Sequence, residues 1–502
     1  MGVKFATGYP SMKFTHSPLS AYSFLTYLVL TLVLPIFAIA PLFYPGDIQT
    51  HAGLIPVWNV ADLRANLTHW GWLPHLAMTF DPLRSDGLLP YYLAALLPLA
   101  PASAVKAVVG LSWLLGGLGM FLWLQSWLGR PGALIAALVY IYLPYQIVTV
   151  YVRGAWGESL FLGLLPWAIL AATYLVTSPR LRLLPLVGLF WLALGLSQLG
   201  LTGWALLFLG LLLAVVHPRQ ALLPLAGALL GSGSAAALTL FRAPNTSSPI
   251  DFTAHLLYPS QLFSAYWGFG VSRPGWNDGL SLQLGLAALG LSLMTIVLWQ
   301  RSQTVDHTDR RLLFFSAAAV GLVGLQVGLA ALLWNLPGLG SALSAMLTYP
   351  WQLLGLTGLA LAVLAGAALW LDEQLTTLPL FAALVLMVLL SSFQYLLPQF
   401  SQGQDYYVGP QAVLGQQQLA VLTHDFSVVT SGHTAGLAVG DTAIPLTVAG
   451  SLRPDDTLQL NIVWQPLRPF VDNLKVFVHL VDSNSNILAQ FDGQPQGGQL
   501  PT

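Results

Sequence analysis

Runs of about twenty apolar residues recur along most of this chain, and that recurrence constrains its fold more than any other feature. A hydrocarbon core about 30 Å thick is crossed by roughly 20 residues of helix. Eleven stretches qualify as expected spans: 20–43, 104–128, 132–150, 159–177, 183–199, 201–216, 220–241, 280–299, 312–334, 351–371 and 376–397. The fifth and sixth share one apolar stretch broken at Gly200. A further piece, Leu88 to Pro101, is too short to cross and suits an interfacial or re-entrant helix. Composition agrees with lipid as the solvent. Charged residues make up 7% of the 502, against about 25% in soluble domains, so ionised groups cannot cover a water-facing surface.

The few charges are unevenly placed. Of 18 Lys and Arg, 15 precede residue 399, as do 11 of 19 Asp and Glu, which leaves an acidic C-terminal stretch. Two domains are therefore expected: a helical transmembrane domain over 1–398 and a soluble one over 399–502. A net charge of −1 gives no basic face for nucleic acid, and the absence of cysteine removes disulfides, thiol nucleophiles and Cys metal sites.

Lys and Arg are retained on the cytoplasmic side of a membrane. Lys4, Lys13, Arg130, Arg180, Arg182, Arg219, Arg301, Arg310 and Arg311 sit mostly in short loops at span ends on one side. Arg64, Arg84, Arg153, Arg242 and Arg273 are spread over much longer loops on the other. An N-terminus inside and a C-terminal domain outside follow. Lys4 and Lys13 also imitate a signal peptide, but the apolar run from about residue 20 to Phe43 is long for one, so an uncleaved anchor is expected.

Two long external loops, 44–87 and 242–279, are rich in Trp, Pro and His rather than in the residues of disordered segments. Asp47 can cap a helix from Ile48 to about Leu67, which would put His51 on the same face four residues on. The tail alternates as β-strands do, at Leu458 to Trp464 and Val476 to Val481, with a turn signal at 482–486 before Ile487 to Phe491. A small all-β sandwich is expected there, ending at Pro501-Thr502 without a clear last strand, as a truncated one would.

Ionisable groups beside membrane spans are functional candidates by default. Arg153-Gly154-Ala155-Trp156-Gly157-Glu158 lies between two apolar spans, and Glu158 is one of only two glutamates. Its plain reading is an ion pair that neutralises a turn. Its functional reading has Arg153 gripping a phosphate with its planar fork while Glu158 orients that phosphate or a sugar hydroxyl. Asp47 is either a helix cap, a general base, or a partner of His51 in holding a divalent cation such as Mg or Mn; one Asp and one His make an incomplete metal set. In the second loop, Arg242, Asp251, His255, Arg273, Trp276 and Asp278 offer rings and hydroxyl-binding groups of the kind that bind sugars.

Several segments taken in order resemble a bacterial family of polytopic membrane glycosyltransferase-like proteins, some members of which carry a 6-pyruvoyl-tetrahydropterin synthase-related label. They are Gly46-Asp47-Ile48-Gln49-Thr50-His51, Leu89-Pro90-Tyr91-Tyr92-Leu93-Ala94, and Pro144-Tyr145 followed by the Arg153-to-Glu158 segment. Gln261-Leu262-Phe263 through Trp267-Gly268, and Tyr349-Pro350-Trp351, are similar to family positions, as are Val476-Phe477-Val478-His479-Leu480 and Gln490-Phe491-Asp492-Gly493-Gln494-Pro495 in the tail. Two departures each remove a cation: Gln352 stands where the family has arginine, and Trp72-Leu73-Pro74-His75 replaces a Tyr-Pro-Arg-Trp motif.

The resemblance implies a C-type glycosyltransferase (GT-C) fold and a polyprenyl-phosphate-linked sugar donor. It implies Asp47 as general base on an acceptor hydroxyl or as cation ligand, Arg153 on the departing lipid phosphate, and Glu158 positioning donor or acceptor. Membrane lipid, that donor and a glycan or protein acceptor would be the partners, at the outer face of a bacterial cytoplasmic membrane. Two other classes compete. A lipid or polysaccharide transporter would carry ionisable groups near the middle of its spans, where this chain has almost none. A non-catalytic envelope-glycan assembly protein would fit the two lost cations.

Overall fold

A computed structural model describes residues 23–44, 48–52, 55–65, 67, 87–240, 251–302, 305, 309–400, 443–452, 458–466, 476–481 and 487–493. Among them seven helices are long and apolar enough to cross a membrane: Phe24–Phe43, Pro101–Ile141, Trp156–Thr177, Leu199–Val216, Leu222–Thr239, Pro350–Leu371 and Leu378–Leu396. Large apolar side chains stand out from them, including Leu25 at 63%, Leu211 at 63% and Leu222 at 83% exposure. In water such a surface would aggregate; lipid is the solvent that suits it. This is a multi-pass membrane protein.

The eleven apolar runs map onto fewer long helices for local reasons. Runs 104–128 and 132–150 enter one 41-residue helical stretch kinked at Gly129 ahead of Pro131. The second run then breaks before Pro144, which opens a short helix Pro144–Val148. Runs 183–199, 280–299 and 312–334 contain the shorter helices Leu184–Ser197, Leu286–Arg301 and Arg310–Gln326.

The chain forms two compact units. The first is built from Met1–Tyr44, Val108–Leu238 and Ile250–Pro398. Its centre is the helical stretch Pro350–Leu371, 94% buried, whereas Leu378–Leu396 is only 22% buried and lies at the periphery. With no hydrophobic drive between helices in lipid, close packing and polar contacts hold them together. Ser292 and Thr295 accordingly donate to the carbonyls of Leu361 and Leu364 at 2.9 and 2.6 Å. Near Pro35, which interrupts the first span's hydrogen-bond ladder, the carbonyls of Leu34 and Ala38 accept from the hydroxyls of Tyr142 and Tyr151, both at 2.6 Å.

The break expected at Gly200 falls at Gln198, which is extended between Leu184–Ser197 and Leu199–Val216. Gly200 opens the second helix instead, where a β-carbon would run into the carbonyl oxygen of Met346. Backbone cannot swing aside as a side chain can. Gly200→Ala should therefore destabilise the unit by about 1–3 kcal/mol, the usual cost of overpacking. Thermal unfolding in detergent checks this, and an unchanged midpoint would show that the two segments separate freely.

The second unit is built from Pro45–Ala107, Thr239–Pro249 and Gln399–Thr502. The helix expected from Ile48 to about Leu67 does not start at Ile48. Ile48 forms an isolated antiparallel bridge with Phe400, and Gln49 N–H donates to the Gln399 carbonyl at 2.8 Å. Helix begins only at Ile55–Ala65, where Pro56 is tolerated in the first turn. A backbone committed to an extended pairing at 48–49 cannot also wind from residue 48, so the helical face that was to join Asp47 to His51 does not form. Arg64 donates to the carbonyls of Ala94, Ala95 and Leu97, closing the C-terminal end of Leu88–Leu96. That helix has nine residues, too few to cross. Two antiparallel hairpins follow in the tail: β1 (Ala443–Leu452) with β2 (Leu458–Pro466), and β3 (Val476–Val481) with β4 (Ile487–Gly493).

Candidate functional site

Among the described residues, the charged cluster that can be built into a site lies in the first unit. After Pro144–Val148 the chain tightens into a π-turn over Thr149–Arg153, a form frequent at functional positions. Gly154 follows at φ 65°, a left-handed conformation that favours glycine. The turn closes when Ala155 N–H donates to the Thr149 carbonyl at 2.9 Å, and the helix Trp156–Thr177 starts at once. Glu158 therefore sits in that helix's first turn, where the backbone N–H groups favour a carboxylate.

This local route brings Arg153 and Glu158 together, Nη2 to Oε2 at 2.9 Å, with the Glu158 side chain 1% exposed. Tyr145 donates its hydroxyl to Glu158 Oε1. Arg153 Nη1 reaches the Tyr145 and Thr149 hydroxyl oxygens, each at 3.4 Å. Burial works against the charge on Arg153, but Glu158 more than offsets it and raises the guanidinium pKa, so the group stays cationic. Of its five N–H donors, the Nε and one Nη2 hydrogen find no partner among the described residues.

A distant segment completes the cluster. Tyr349 precedes a short 3₁₀ turn, Pro350–Leu353, that leads into the central helix. Trp351 is 2% exposed and lies with its ring centroid 4.6 Å from the Arg153 guanidinium carbon, a cation–π contact. Tyr349 stacks on Trp351 at 4.7 Å. Gln352 uses both ends of its amide. Its Oε1 accepts from the backbone N–H groups of Thr348 and Tyr349 at 2.8 and 3.1 Å, and its Nε2 donates to Glu158 at 3.4 Å. The neutral residue ties the turn to the ion pair without adding a second cation. Gln352→Leu removes that acceptor and one donor to Glu158, and should cost about 1–3 kcal/mol for polar groups left unpaired. Thermal unfolding of the purified variant measures it.

The second loop reaches the same cluster. Trp351 Nε1–H donates to Ser272 Oγ at 3.1 Å, Ser272 donates to Asp278 Oδ2 at 3.1 Å, and His255 Nδ1 lies 3.0 Å from Ser272 Oγ. His255 also meets Tyr349 edge-on at 4.9 Å. Asp278 Oδ1 accepts from the N–H groups of Leu280 and Arg273. Asp251 caps the 3₁₀ turn Phe252–His255, accepting from Thr253 and Ala254, and these bonds lower its pKa. Burial lowers the pKa of His255, with the carboxylates of Asp278 and Asp251 opposing that shift.

The structure thus joins Arg153, Glu158 and Asp278 into one network and puts Asp251 at its edge as a cap. Trp276 is 71% exposed on the loop surface. His51 sits in a turn of the other unit. Asp47 and Arg242 lie outside the described residues. Among the described residues no three His, Asp or Glu side chains gather as a metal set. Tyr145, Trp351, Gln352 and Ser272 were not among the residues expected to form the site. Tyr145, Trp351 and Gln352 fell within segments that carried the family resemblance but were given no role there, and Ser272 had no signal.

No protein-family model matches the sequence, and no curated protein matches it. Among solved structures the chain is similar to the arabinofuranosyltransferase AftD from Mycobacteria, determined by single-particle cryo-EM, with a TM-score of 0.50 at 16% identity. The alignment covers 76% of this chain and 28% of that one, so this chain spans little more than a quarter of AftD. An Archaeoglobus fulgidus oligosaccharyltransferase, crystallised tethered with an acceptor peptide, aligns over 74% of this chain and 54% of its own at 11% identity and a TM-score of 0.41. The likeness to AftD is one of fold. The helical part of the chain is similar in fold to that neighbour.

Proposed function

We propose that this protein is a membrane glycosyltransferase that takes a sugar from a polyprenyl-phosphate-linked donor and passes it to an envelope or extracytoplasmic acceptor. The observation that carries the reading is the Arg153 guanidinium: cationic, held in place by Glu158 and Trp351, and keeping two N–H donors without a described partner, in a fold like that of AftD. A fixed fork of that kind suits a lipid phosphate, whose charge grows as the sugar leaves. In this reading the first domain is 1–398, the external β domain is 399–502, and the N-terminus is cytoplasmic. Asp47 takes the acceptor proton, alone or with a divalent cation that His51 helps to hold. Arg242, Asp251, Trp276 and Asp278 are further candidates to bind donor or acceptor.

One observation favours a second reading, a non-catalytic envelope-glycan assembly protein. Gln352 replaces a family cation and serves the ion pair as a neutral strut. Purified protein in nanodiscs, offered a panel of polyprenyl-phosphate sugars and scored for released polyprenyl phosphate, separates the two. Turnover supports the transferase, and glycan binding without release supports the assembly role.

A further inference from the structure

His255, Ser272 and Asp278 form a relay whose hydrogen-bond roles follow from the donor inventory alone. A serine hydroxyl has one proton and two lone pairs. Asp278 Oδ2 only accepts, so Ser272 gives it that proton. The indole N–H of Trp351 only donates, so it takes one lone pair of Ser272. The remaining lone pair faces His255 Nδ1 at 3.0 Å, and that nitrogen must therefore carry a hydrogen. In a neutral imidazole the other nitrogen, Nε2, is then a bare acceptor. It has no partner among the described residues, and His255 is only half-buried.

Four groups face the ring: Ser272 and Asp278 from one loop segment, Asp251 from the start of its own turn, and Tyr349 from the turn that carries Trp351. Burial lowers the His255 pKa below its usual 6.5, which favours the neutral ring. Tyr349 and Trp351 connect the histidine to Arg153 through successive ring contacts of 4.9, 4.7 and 4.6 Å. A hydroxyl acceptor and a phosphate-competent guanidinium thus flank one aromatic stack, the pairing of chemistries that a sugar phosphate presents.

We propose that His255 is a sugar-hydroxyl site: Ser272 holds its ring as the Nδ1–H tautomer, and Nε2 accepts a hydrogen bond from the sugar of a lipid-phosphate donor. This rests on the reading of Arg153 as the phosphate group's partner. No atom is transferred in this step; the contact discriminates a sugar-bearing lipid from a bare one.

The test compares binding of undecaprenyl phosphate with that of undecaprenyl phosphate linked to arabinofuranose, mannose or glucose, on the full chain in nanodiscs. At least one sugar-bearing lipid should bind about fivefold to tenfold more tightly than the bare one, the worth of one net hydrogen bond. Asparagine overlays the Nδ1 side of histidine, so His255→Asn still donates to Ser272 but has nothing at Nε2, and it should erase the difference while leaving the bare lipid's affinity unchanged. His255→Gln places its amide near Nε2 and should keep part of it. A merely structural histidine predicts the reverse order for these variants, and that order overturns the proposal. So does a wild type that binds sugar-bearing and bare lipid alike. If His255→Asn also loses the bare lipid, His255→Gln decides: a retained difference supports the site and a lost one overturns it. Failure of the wild type to bind the bare lipid falls on the Arg153 reading instead, and takes this inference with it.

Discussion

Replacing Arg153 with methionine is expected to destabilise the first unit by about 3–5 kcal/mol, the range for removing one partner of a buried ion pair. Glu158, 1% exposed, would keep only the Tyr145 hydroxyl and the Gln352 amide, and its charge would be left without a counter-ion. The cation over the Trp351 ring would go as well. Thermal unfolding in detergent should show a large drop in midpoint. The double variant Arg153→Met, Glu158→Leu removes both charges and should recover most of the loss, because buried pairs often contribute little net stability over an apolar substitute. The same double variant should not bind undecaprenyl phosphate. Recovered stability with retained lipid binding would sink the assignment of the phosphate to Arg153.

Asp47→Asn is expected to lower the release of polyprenyl phosphate by roughly 10²–10⁴-fold, the usual contribution of a general base. Asparagine keeps the shape and accepting oxygen of aspartate, and as a cap it is about as good. What it cannot do is take a proton from an acceptor hydroxyl. Comparison with Asp47→Ala separates the roles. A residue that only shapes the chain would tolerate asparagine and suffer from alanine, whereas a base is lost equally in both. Retained turnover in Asp47→Asn, with the protein folded, would remove Asp47 from the chemistry. The helix that would have given it a capping role does not begin at Ile48, since that residue pairs with Phe400.

Much of the architecture was legible because membrane spans answer to a local rule. Each run of apolar residues partitions into lipid by its own composition, so Phe24–Phe43 or Leu199–Val216 could be marked without knowing any neighbour. The turn at Arg153 and Glu158 was equally legible, since the two groups lie five positions apart and charge is expensive beside a span. Errors came where a local signal met a distant partner. Asp47-Ile48 reads as a helix start, yet Gln49 bonds to Gln399, some 350 residues away.

The amino-acid order by itself determined that this chain lives in lipid, where its apolar runs lie, and that Arg153 and Glu158 form a charged turn; each depends on neighbours a few residues apart. Only the tertiary structure decided what surrounds that turn. Gln352 reaches Glu158 across 194 positions and Trp351 reaches Ser272 across 79, and the two contacts draw the second loop onto the ion pair. The physical reason is one of range. Partition into lipid is a property of a segment, but a buried polar group takes whichever complementary partner the packed helices bring within hydrogen-bond distance.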